Sequence, residues 1–123
     1  VTDRATKFRQ AAIVYLHVGI LYEAAAWVMW REGLLPEARG PAWLWLVFGA
    51  VITILIPYIL WHWHRTWIAL TVWALHALRL PAVINGAFFV PAAGGEIAAG
   101  FYVTALVVIV INLGFLARAA FDL

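Results

Sequence analysis

Four apolar runs follow one another along this chain, roughly 10–30, 41–61, 66–87 and 97–117, with only short polar breaks between them. Each holds about 20 residues, which at 1.5 Å rise per residue gives about 30 Å, the thickness of a bilayer's hydrocarbon core. The first and third runs are interrupted by single polar groups and the second by Pro57, but none contains a polar block long enough to end a span. The expected fold is therefore all-α: an integral membrane four-helix bundle, with residues 1–123 forming a single transmembrane domain. Composition agrees. The hydrophobic fraction is 67% and the charged fraction 11%, against about 25% charged in an ordinary soluble protein. A soluble fold of 123 residues has too little interior to hide that much apolar surface.

The connections fit short hairpins. Arg31 to Gly40 is polar and turn-rich, and Gly40-Pro41 resembles a cap followed by proline at the first helical position. Only His62-Trp63-His64-Arg65 separates the second and third runs, which demands a tight antiparallel turn. Val90 to Glu96 carries the turn residues that lead into the fourth. No cleaved signal peptide is expected, because the first run is too long for a signal core and no small-residue cleavage site follows it.

Arg4, Lys7, Arg9, Arg65 and Arg118 fall at the end that bears the termini. Arg31 and Arg39 fall at the other, beside Glu32, Glu37 and Glu96. The excess of Lys and Arg places both termini in the cytoplasm, in a bacterial inner (cytoplasmic or intracytoplasmic) membrane. Trp27, Trp30, Trp43 and Trp45 mark one interface and Trp61, Trp63 and Trp67 the other, leaving Trp73 deeper. His62, His64 and Arg65 are read as interfacial: on a helix end the two imidazoles point apart, which disfavours chelation of a metal.

The chemistry lies in polar groups placed in an apolar solvent, where each ionisable side chain costs roughly 3 kcal/mol. Counting from the starts of their runs, Glu23 and Arg79 each lie about 13 residues in, at about 20 Å of axial rise. The expectation is an intramembrane polar pair between the first and third helices. His76 and Trp73 share the face of Arg79, and Pro81 removes one backbone donor just beyond it. His17 comes out a few ångströms shallower than His76. Either histidine, with Trp73, is a candidate contact for a pigment, haem or quinone. Gly19, Gly49 and the Ala24–Ala26 and Ala98–Gly100 stretches suit close helix approach, with Tyr15, Tyr22, Tyr58, Thr53, Thr104 and Asn112 as hydrogen-bonding groups.

Enzyme signatures are missing from the sequence. It has no cysteine, no serine, no glycine-rich phosphate loop and no HExxH, so no catalytic residue is assigned and no enzyme is expected. The net charge of +2 is too small to suggest nucleic acid. The reading that best fits such economy is a small accessory subunit of a larger membrane complex, of the energy-transducing kind. Its partners would be lipids and other membrane subunits, or further copies of itself. The alternatives are a carrier of protons, ions or a small solute through Glu23 and Arg79, and a cofactor-binding protein using His17 or His76.

Overall fold

The computed structural model describes residues 3–33, 42–89 and 96–123, the side chains of 42 and 96–99 excepted. It is all-helical: α1 (Arg4–Arg31), α2 (Ala42–His62), α3 (Thr66–Ile84), a π-helical turn (Asn85–Phe89) and α4 (Glu96–Phe121). All four helices are long and apolar enough to cross a membrane. The expected Gly40-Pro41 cap, the turn at Val90 to Glu96, Glu37 and Arg39 lie outside the described residues or side chains.

Two helices are longer than the sequence suggests, for identifiable reasons. Asp3, in extended conformation, accepts a hydrogen bond from the Thr6 amide at 2.7 Å, so α1 starts at residue 4 behind an acidic cap. The charged first turns then find partners. Lys7 is buried and meets Asp122 at 2.7 Å, Arg4 donates to Thr66, Arg118 donates to Gln10 at 2.9 Å, and Arg9 lies 5.3 Å over the Trp61 ring. These contacts carry α4 on to Phe121, where Asp122 turns left-handed (φ +56°). At the opposite end α1 stops at Gly33 (φ +70°), whose amide bonds back to the Trp30 carbonyl. In α3 the loss of one backbone donor at Pro81 does not end the helix. The helix runs through Pro81 to Ile84 and then widens into the π turn.

The four helices do not form a closed ring. α2 packs on α1, α1 on α4 and α4 on α3, whereas α2 and α3 share no comparable interface beyond their turn. Two apolar clusters divide the interior. At the end bearing the termini, Phe8, Ala11, Ala12, Leu60, Ala69, Val72 and Leu116 form a plug to which all four helices contribute. Farther along, Val83, Ala105 and Ile109 join Tyr22, Leu80 and Leu106, and α2 supplies none of them. The bundle is tight at one end and splayed at the other, where α2 keeps its packing on α1 but stays out of the second cluster.

Candidate ligand-binding cavity

The splay leaves a cavity of about 500 Å³ reached by all four helices. Register along the bundle follows from contacts. Arg4 pairs with Thr66 and Tyr15 with His76, offsets of 62 and 61 residues between the parallel helices α1 and α3. Gly19 faces Thr53, and Gly49 faces Glu23, across the antiparallel α1–α2 interface.

The floor rests on the apolar plug. There the Tyr15 hydroxyl and His76 Nε2 are 2.8 Å apart with their rings tilted at 53°, which ties α1 to α3 across the bundle. Asn112 of α4 also lines the cavity and is only 4% exposed. Thr53 packs where α1 is pared down to Gly19: a Cβ there would lie 2.7 Å from the Thr53 methyl. Higher up, Arg79 reaches toward the Tyr22 hydroxyl. Glu23 turns the other way, its carboxylate occupying the notch left by the missing side chain of Gly49 and within reach of Trp27. Trp45, Phe48, Phe101, Tyr102, Val108 and Ile109 complete largely apolar walls.

Three buried polar atoms have no hydrogen-bond partner among the described residues: Glu23 Oε2, His76 Nδ1 and Asn112 Oδ1. All three residues line this cavity. A buried polar atom without a partner costs about 1–3 kcal/mol, and each such atom in a native fold calls for an explanation. Convergence of three such residues on one space distinguishes this region among the described residues.

The sequence-derived site changes accordingly. Glu23 and Arg79 reach the same cavity but do not form the expected pair; among the described residues the ion pair within 4 Å is Lys7–Asp122. Counting from residue 10 put the acid too shallow. The observed register sets Glu23 level with positions 84–85, five or six residues past Arg79, or about 8 Å of rise. The same offset puts His17 beyond His76 rather than short of it. His17 is also exposed on the outside of α1, its Nδ1 bonded to the Ile13 carbonyl at 2.7 Å. His17 and His76 therefore face different surroundings and cannot clamp one haem between them. Trp73 turns to the plug, edge-on to Phe121 at 5.2 Å, and is not on the cavity wall.

His62 packs on Tyr58 with ring centres 4.5 Å apart and planes tilted by 51°, whereas His64 packs on Phe8 and its Nε2 meets the Trp61 carbonyl. The two imidazoles thus have different neighbours, and Arg65 is the exposed residue capping α3. Of the groups proposed to bond between helices, Tyr15 does so. Thr104 bonds within its own helix, and Asn112 is the buried amide left open. The sequence signal for Asn112 was a lone amide closing the aliphatic run Val103–Ile111; nothing local said that Tyr15 and His76 would lie at its level.

Comparisons with protein families, with curated proteins and with solved structures find no match for this chain.

Proposed function

We propose that this protein lies in a membrane and binds a small molecule in the cavity between its helices, as a carrier or binding component rather than an enzyme. One observation carries the reading: the three residues that hold unpartnered buried polar atoms all line a single space. Such a cluster is costly in an empty bundle and favourable around a ligand that supplies the missing partners. The aromatic and aliphatic walls fit an apolar body, and the unsealed side between α2 and α3 gives it a way in. Both termini would face the cytoplasm, with Arg4, Lys7, Arg9, Arg65 and Arg118 on that side.

The test is to purify the protein in mild detergent, denature it in organic solvent and examine the extract by mass spectrometry, alongside an absorption spectrum. The expected result is a stoichiometric small molecule, absent from an Asn112→Leu, His76→Phe double variant of equal yield. Wild-type protein that releases nothing and takes up nothing from a membrane-lipid and metabolite extract would overturn the reading.

A second reading is favoured by the outer surface. Val103, Val107, Val110 and Ile111 of α4 are exposed, and such a bare aliphatic face suits an accessory subunit lying against other membrane helices. Isolation always as a lone chain, under detergents that preserve complexes, would remove it.

A further inference from the structure

The charges on the cavity walls point to the chemistry of the occupant. Arg79 is fixed as a cation and has no carboxylate within 4 Å among the described residues. Its guanidinium is directed toward Tyr22 on the α1 side. Glu23 sits toward α2, seated on Gly49, with Oε2 buried and unpartnered. Tyr22 adjoins both: Arg79 reaches toward its hydroxyl and Glu23 is the next residue in the chain. An exposed base and a half-buried acid therefore border one apolar space without touching, and on helices that lie in a membrane a charge is costly unless it is paired. A simple anion would satisfy Arg79 and leave the Glu23 charge with Trp27 as its neighbour and no cation. A simple cation would do the reverse. A molecule with both charges satisfies both walls at once, and its apolar remainder meets Trp45, Phe48 and Phe101.

We infer that the cavity binds a zwitterion, its oxyanion on Arg79 with His76 Nδ1 and Asn112 below, and its primary ammonium on Glu23. This rests on the binding reading above and narrows it. Tyr15 fixes the His76 ring through Nε2; if its hydroxyl donates that bond, Nδ1 carries the proton and is a donor toward the oxyanion. The Asn112 amide can present either end. Gly49 is a specificity-determining position, because any Cβ there would fall on the Glu23 carboxylate. The same ammonium-plus-oxyanion chemistry occurs in a free aliphatic amino acid and in the headgroup of phosphatidylethanolamine. An amino acid would enter from water, and the lipid from the side between α2 and α3.

The experiment compares matched probes on the intact wild-type protein, so it does not depend on any variant folding. By calorimetry, leucine is measured against 4-methylpentanoate, which lacks the ammonium, and 3-methylbutylamine, which lacks the carboxylate. By native mass spectrometry, phosphatidylethanolamine is measured against phosphatidylglycerol and phosphatidylcholine in mixed micelles. The zwitterion with a free ammonium is expected to bind about tenfold or more tightly than its counterparts in one of the two series, as loss of a charged hydrogen bond implies. The series that shows the preference names the source. Glu23→Gln is expected to erase the preference over the ammonium-free probe, and Arg79→Gln the preference over the amine. Equal binding of a singly charged probe overturns the zwitterion and leaves the binding reading standing. A stoichiometric occupant lacking an ammonium, released by denaturation, does the same. No binding in either series, with an empty extract, sinks both.

Discussion

Asn112 gives the sharpest test of the cavity. Its side chain is 4% exposed and its carbonyl oxygen has no partner, so the ligand-free protein carries an unsatisfied acceptor. Leucine has nearly the same shape and no polar atoms. Removing the acceptor recovers part of its desolvation cost of about 1–3 kcal/mol. Measured interhelical hydrogen bonds in membranes average only about 0.6 kcal/mol, so little is lost on the other side. Asn112→Leu is thus expected to stabilise the ligand-free protein by about 1–2 kcal/mol, a factor of about 5 to 30 in the folded-to-unfolded ratio. Asn112→Ala removes the acceptor but enlarges the cavity, and the two effects leave it near neutral. Reversible unfolding in mixed micelles against denaturing detergent reads both variants. The leucine variant should also lose its ligand, a gain in stability at the expense of function. If Asn112→Leu instead destabilises the ligand-free protein by about 1 kcal/mol or more, the amide has a structural partner and the argument from unpartnered atoms fails.

The remaining predictions address the frame around the cavity. Tyr15→Phe leaves His76 Nε2 without its partner and is expected to cost about 1–3 kcal/mol in the same unfolding assay; an unchanged midpoint would show that the bond carries no weight. Gly19→Ala puts a methyl 2.7 Å from the Thr53 side chain, which should part α1 from α2 at a cost of about 1–3 kcal/mol, visible as a longer spin-label distance across that interface. Phe8→Ala, at a fully buried position of the plug, is expected to cost about 3–5 kcal/mol, and a loss below 1 kcal/mol would argue against the plug. Asp3 is held below the usual carboxylate range mainly by the Thr6 amide, and Asp122 by its hydrogen bond to Lys7. Their stabilisation is present above the ordinary Asp value of about 4 and is lost as pH falls through the lower folded-state values. Hydrogen exchange in residues 4–10 should therefore rise selectively below about pH 4, once corrected for the intrinsic pH dependence of exchange. Asp122→Asn should remove part of that rise.

The sequence by itself determined the class of fold. Four runs of sufficient length, with so few charges, admit little but a bundle of apolar helices, because backbone groups in an apolar medium must bond within their own segment. It also marked the polar residues that matter, since Glu23, His76, Arg79, Thr53 and Asn112 stand out against that background and all reach the cavity. Gly49 and Gly19 were legible as sites of close approach, and the structure gives each an opposing group in Glu23 and Thr53.

Partners were decided only by tertiary structure. Depth counted from a hydropathic boundary ignored the Asp3 cap and the charged first turns, and that error of about six residues turned two groups on opposite walls into an expected pair. The face of His17 was equally invisible, because a helix of near-uniform hydrophobicity has no apolar stripe to say which side is in. The failure of α2 and α3 to close against each other, which makes the cavity, has no local signal at all. It arises from how three interfaces, α2–α1, α1–α4 and α4–α3, are satisfied together. Periodicity and solvent preference are properties of single segments, while register and enclosure belong to their packing.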